Sequence, residues 1–352
     1  MKYKPDWPQA RQRLSALWQG ELLERPCLAV TAPNGGGVPA PKPPEDLEAR
    51  WLDPDYLMGV VRARMANTWW GGESIPSFLI NGGWVVSLGG QPHFGESTIW
   101  FEPFAVDFGA PSPFRHDPDD PWVVKHRAAY GALIETAGRD DFLVGRPCLL
   151  PANDLIALHL GAQEFLLALR DHSEWMRRAI VDGAAELLRA RAELEDQVRA
   201  SHEFWYGTAG WMPFWAPEPF VSTQSDVSCM ISPADYDTFV LPELEMYGEA
   251  YGAMWYHLDG ADARQHLPRL LSLPFLRVLQ YTPAPNEPPN GPEHLEMYRT
   301  AQAAGKILHL SLPRENVEPL VRELDPSLVH LQTGCASVAE GEQLLEAAKG
   351  WV

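Results

Sequence analysis

The chain is short of basic side chains, of cysteine and of long apolar runs. In 352 residues, 28 Lys and Arg stand against 47 Asp and Glu, a formal net charge of −19. That deficit argues against a nucleic-acid phosphate backbone or an anionic membrane as partner. No stretch approaches the ~18 uninterrupted apolar residues of a membrane span. The opening Met1-Lys2-Tyr3-Lys4-Pro5-Asp6-Trp7 lacks the apolar core of a signal peptide, so a cytoplasmic protein is expected. The four cysteines (Cys27, Cys148, Cys229 and Cys335) are far apart and form no CxxC, which reads as reduced thiols rather than a disulfide framework. No GxGxxG follows the first expected strand, which weakens a dinucleotide-binding sheet. What is abundant is proline, at 33, implying many rigid loops, and tryptophan, at 14, more than a core needs.

Periodicity gives the architecture. An amphipathic helix is expected over Gln9–Trp18, a strand at Cys27–Val30 and a helix at Pro54–Asn67. A helix entered through Asp117-Pro118-Asp119-Asp120-Pro121 should run to about Ala137. A strand is expected in Phe142–Leu150, helices in Asp154–Arg170 and Ser173–Arg199, and a strand in Tyr206–Phe214. Ser232-Pro233-Ala234-Asp235 starts a helix with a hydroxyl cap, proline at the first helical position and an acid three residues on. That helix should reach about Tyr251 with a bend at Pro242. Four strand–helix repeats then close the chain. Their strands are Met254–His257, Arg277–Tyr281, Lys306–Leu312 and Ser327–Leu331, and their helices Gln265–Leu271, Pro292–Ala304, Asn316–Leu324 and Val338–Trp351. Short strands alternating with helices mean parallel βαβ units, and at least six fit this length. The fold class is therefore α/β, a (β/α)8 barrel spanning 1–352 as one domain, with a helical and loop extension over about 1–70.

In such barrels chemistry sits where strands end. His257 and Asp259 lie two apart on a strand and so share a face. With Cys335 after another strand they would make an N/O/S site with its fourth position open, a set suited to zinc. The alternative is a histidine hydrogen-bonded to a carboxylate, with a buried thiol elsewhere. Asp226 in a mouth loop could orient a cationic or hydroxylated substrate, or cap backbone amides. His309 could handle a proton, or simply fill the core. Asp154 reads as a helix N-cap. Around a small-molecule substrate the strand ends and mouth loops would place Trp69, Trp70, Asn153, Trp211, Trp215, Gln224, Gln280, Tyr281 and Gln332.

The segment Ser225-Asp226-Val227-Ser228-Cys229-Met230-Ile231-Ser232-Pro233-Ala234-Asp235-Tyr236-Asp237-Thr238-Phe239-Val240-Leu241-Pro242 resembles a hallmark stretch of the uroporphyrinogen decarboxylase superfamily. His257, Gln280 and Gly334-Cys335 follow in the family's order, and Glu24–Thr31 is similar to its opening strand. The resemblance implies a single (β/α)8 barrel. True decarboxylases of the family carry an arginine-rich loop after the first strand; here that loop is Ala32-Pro33-Asn34-Gly35-Gly36-Gly37, without arginine. The other branch holds zinc methyltransferases that move methyl groups between cobamide proteins and thiols, with ligands in an HxC pattern and a later Cys. His257 and Cys335 match that pattern, and Asp259 stands where its first Cys belongs. The resemblance thus implies a zinc-dependent methyl or alkyl transferase, with a corrinoid on a partner protein. The alternatives are a metal-free decarboxylase or lyase on a small substrate, and a non-catalytic small-molecule or corrinoid-protein binder.

Overall fold

A computed structural model describes the chain except residues 81–87, 139–140, 147–149 and 200–211. The strands are β1 (Cys27–Pro33), β2 (Thr68–Gly72), β3 (Ser77–Phe78), β4 (Pro92–Phe94), β5 (Ile99–Phe101), β6 (Leu143–Val144), β7 (Val221–Thr223), β8 (Met254–Asp259), β9 (Leu276–Thr282), β10 (Ile307–Ser311) and β11 (Val329–Gly334). The first helices are α1 (Trp7–Trp18), α2 (Leu47–Leu52), α3 (Pro54–Asn67), α4 (Pro121–Ala137), α5 (Ala152–Leu160), α6 (Ala162–Asp171) and α7 (Ser173–Arg199). They are followed by α8 (Pro233–Phe239), α9 (Leu241–Tyr251), α10 (Gly260–Ala263), α11 (Leu267–Ser272), α12 (Leu295–Ala303), α13 (Val317–Glu323) and α14 (Val338–Ala347).

Helix starts follow their capping chemistry. The Asp53 side chain accepts from Tyr56 N with Pro54 in the first turn, and Ser232 accepts from Asp235 N ahead of Pro233. Two expected helices are broken. The Asp154–Arg170 pattern divides at Gly161, whose φ of +81° suits a residue without Cβ. The helix from Ser232 does not bend but stops at Phe239 and restarts at Leu241, because Pro242 belongs to a new first turn. Of the strand expected at Tyr206–Phe214, residues 206–211 lie outside the described residues. Met212–Phe214 is irregular, and the strand at this place is β7 instead.

The main sheet has seven strands in the order β2-β1-β11-β10-β9-β8-β7. Every pairing is parallel except β2 with β1. β3 and β6 pair in parallel as a separate sheet, and β4 with β5 forms an antiparallel one. Among the described residues β2 and β7 are therefore edges, and no hydrogen bonds close an eight-stranded ring.

Alternation sorts the strand side chains into two layers. Leu28 and Val30, Tyr256 and Leu258, Leu279 and Tyr281, Leu308 and Leu310 pack with the helices in one apolar core. Cys27, Leu143, Trp255, Val278 and Ile307 meet in a second cluster with Ile75, Phe214 and Phe220. α1 adds Trp7, Leu14 and Trp18 to that inner cluster. Side chains from β1, β6, β8, β9 and β10 thus share one interior, although β6 has no hydrogen bond to the main sheet.

Candidate active site

β8 carries the site. Trp255 belongs to the inner cluster, so the alternation also puts His257 and Asp259 on the inner face, with Asp259 as the last residue of the strand and exposed. His257 pairs in register with Gln280 of β9, and its Nδ1 bonds the Gln280 Oε1. The Gln280 amide nitrogen donates to Thr282 Oγ1 at 3.0 Å. Its oxygen therefore faces the histidine, which fixes the proton on His257 Nδ1 and the lone pair on Nε2.

Asp226 opens the one-turn segment Asp226–Met230 after β7. Its carboxyl is raised above the ordinary range, first by loss of solvent around it and then by the like charge of Asp259. His257 and a hydrogen bond with Gln224 oppose the rise. Asp226, His257 and Asp259 are thus electrostatic neighbours at the carboxyl ends of the parallel strands.

The backbone of that turn is held from α5. Asp154 Oδ2 accepts from Asp226 N at 2.9 Å, and Oδ1 from Val227 N at 3.0 Å. Asp154 is therefore no cap of its own helix, as the sequence suggested; Pro151 occupies the N-cap without a side-chain bond. The first turn of α5 is capped from α9, by Glu243. Its carboxylate takes bonds from Ala152 N, from Asn153 N at 3.2 Å, from Asn153 Nδ2 at 2.8 Å and from Tyr247 OH at 2.5 Å. Burial pushes the Glu243 carboxyl up to about 7 against those donors. Asn153 accepts from Ser225 Oγ at 3.0 Å, which ties this network to the residue before Asp226.

The other residues singled out from sequence scatter. Asn153 is fully buried inside the network just described. His309 lies inside the sheet, where Trp255 Nε1 donates to its Nδ1 at 3.0 Å and the His330 ring stands 4.6 Å away. Burial and His330 hold His309 well below the usual histidine range, so it is neutral. Tyr281 points to the helix layer and donates to Glu287 at 3.0 Å. Trp69 is wedged against Gly71 and Gly341 on the same outer side. Trp215 meets Trp7 of α1 edge-to-face at 5.9 Å. Trp70 and Gln332 line a cavity near β1, and Trp211 lies outside the described residues.

Cys335 does not join His257. It follows the last residue of β11, and the groups that act on its thiol are Glu340 and Arg314. The thiol that shares the mouth is Cys229, whose Sγ donates to the Asp226 carbonyl at 3.0 Å. Its pKa is raised by burial and by Asp226, Asp262 and Asp259. Among the described residues no three His, Cys, Asp or Glu side chains are gathered to hold a metal ion. A zinc centre of His257, Asp259 and Cys335 does not fit this geometry.

Three participants escaped the sequence reading. Glu243 looks like an ordinary first-turn acid; only the packing of α9 on α5 buries it. Cys229 reads from sequence only as one of four scattered reduced thiols. Asp154 was assigned to the wrong helix end because the turn it caps lies 72 residues away.

The sequence matches no family model and no curated protein. A methyltransferase from Methanosarcina mazei shares the fold, with a TM-score of 0.57 and 12% identity over 97% of this chain and 98% of that one.

Proposed function

We propose that the chain is a methyl- or alkyl-transferring enzyme that acts on a small molecule at the carboxyl end of a uroporphyrinogen decarboxylase-like (β/α)8 barrel. In this reading β3 and β6 fill the arc between the edge strands β2 and β7. The interior shared by β1, β6, β8, β9 and β10 supports that closure. Likeness of fold over nearly the whole of a solved methyltransferase supports transfer as the reaction class.

The observation that carries the chemistry is the mouth cluster of Asp226 and His257, each held by its own partners. In a transfer from heteroatom X to heteroatom Y, the carbon–X bond breaks as the carbon–Y bond forms. Y loses a proton and X gains one. Asp226, protonated more readily than an ordinary carboxyl, supplies the proton to X. His257, with Nδ1–H engaged by Gln280, offers Nε2 to take the proton from Y. Asp259 faces the imidazolium that results. The methyl donor in this scheme is a methylated small molecule, whose heteroatom X takes the proton as it leaves; with a corrinoid on a partner protein as donor, cobalt would leave with the electron pair and no proton would be needed from Asp226. Because the proposed zinc ligands are not gathered, no step runs through a metal.

A second reading, a metal-free decarboxylase or lyase, is favoured by the raised Asp226 carboxyl, which could protonate a carbanion-like intermediate. One experiment separates the two. Chelator-treated protein is assayed for methyl loss from methylcobalamin and from methylated small molecules to thiols, and for CO₂ release from small carboxylates. Methyl transfer that survives chelation and falls at least about a hundredfold in kcat in Asp226→Asn supports transfer. CO₂ release without methyl transfer supports the lyase. Transfer that disappears with the metal defeats the metal-free chemistry.

A further inference from the structure

The acid and the base of the mouth sit on different elements, Asp226 on the turn after β7 and His257 on β8. Their spacing is set by whatever holds that turn. A segment this short, Asp226–Met230, does not stabilise itself, and the first N–H groups of a helical turn have no partner within it. Ser225 at the N-cap gives no side-chain bond. Asp154 serves instead from α5, taking Asp226 N at 2.9 Å and Val227 N at 3.0 Å on separate oxygens. It is buried, and a carboxylate out of water is a costly means of pairing two amides that a serine hydroxyl or water would satisfy. From a second element comes His266, also buried, whose Nε2 bonds the Ser228 carbonyl at 2.8 Å. A carbonyl only accepts, so Nε2 donates. The ring is stacked on Tyr236, with 4.2 Å between centroids and 12° between planes. β8 leads through α10 into the turn Arg264–His266, so this bond ties the Asp226 turn to the element that follows His257.

We propose that Asp154 and His266 are positioning residues: from α5 and from the segment after β8 they clamp the Asp226 turn, and so fix the Asp226 carboxyl relative to His257. Both are buried and act through the turn's backbone alone. Asp154 is in turn held in place, because Glu243 of α9 binds the first turn of α5 through Ala152 N and Asn153 N. Precise placement matters because a shift of about 1 Å between reacting groups costs on the order of a hundredfold in rate. The inference deepens the transfer reading and rests on it only in calling Asp226 and His257 the acid and the base.

Cys229 reports on the turn without any substrate. It is exposed, and its Sγ is bonded within the turn to the Asp226 carbonyl at 3.0 Å. Its alkylation by iodoacetamide in the full chain is timed by peptide mass spectrometry, which separates it from the other three cysteines. Asp154→Asn turns an amide NH₂ toward one of the two backbone N–H groups, and His266→Phe keeps a ring on Tyr236 but loses the bond. Each should speed Cys229 at least about threefold, as loss of one hydrogen bond allows. In methyl transfer to thiols from the small molecule that serves wild type, kcat should fall at least about tenfold in each variant with KM within about twofold. Asp154→Ala should fall further than Asp154→Asn, which keeps one acceptor. Wild-type alkylation rates in both variants, an unchanged kcat, or a rise in KM alone overturns the proposal. If Asp154→Asn does not fold, His266→Phe decides it on the same readouts. Wild type that transfers no methyl group defeats the transfer reading, and a faster Cys229 in the variants then still upholds the clamp.

Discussion

Glu243→Gln tests the buried network beneath Asp226. The Glu243 carboxyl is removed from water, and this drives its pKa from 4.5 to about 7 although four donors pull it down. A carboxyl raised on folding binds its proton more tightly in the folded chain. Its contribution is therefore fully present below pH 4.5 and is lost as pH rises through about 7. At 1.36 kcal/mol per unit, the shift amounts to about 3 kcal/mol between those limits. The glutamine variant would keep the size of the side chain and lose the titration. It would also lose acceptor capacity, since the amide NH₂ would face one of the backbone N–H donors. Urea denaturation of both proteins at half-unit steps from pH 4.5 to 8 isolates this site, because every other group cancels in the difference. The wild type should lose about 3 kcal/mol relative to the variant as pH rises, with the variant the less stable at the acidic end by about 1 kcal/mol. A difference that is flat, or that rises with pH, would mean that the four donors outweigh burial and that the carboxylate is ionised throughout.

Gln280→Leu removes the group that fixes the His257 tautomer. About a tenfold loss in kcat is expected; a change in stability alone would make Gln280 merely structural. Arg25→Met breaks the buried pair in which Arg25 meets Glu73 at 2.6 and 3.0 Å, under the loop that carries Ser74. It should cost about 3 kcal/mol in urea at unchanged m, since Glu73 keeps only Arg13 at 3.4 Å and Leu28 N at 2.8 Å, and a loss below about 1 kcal/mol would show that those two partners suffice. Cys335→Ser should leave activity and metal content as they are, because Arg314 and Glu340 surround that thiol. Loss of bound zinc with the substitution would restore the three-ligand reading.

Elements written in local chemistry were legible in the sequence. The α3 boundaries follow from Asp53, Pro54 and the apolar spacing, and β8 to β11 from short apolar runs between helices, because caps and periodicity act within a few residues. Alternation along β8 likewise placed His257 and Asp259 on one face before any fold was known. Sequence order could not show that Asp154 caps a turn 72 residues on, or that Glu243 serves the first turn of α5 from α9. Those contacts join distant elements, and a side chain's spacing along the chain says nothing about which foreign backbone it will meet. Burial, and with it the raised carboxyl of Glu243, exists only after the helices have packed on the sheet. Tertiary structure alone decided it, because desolvation depends on everything that surrounds a group in space.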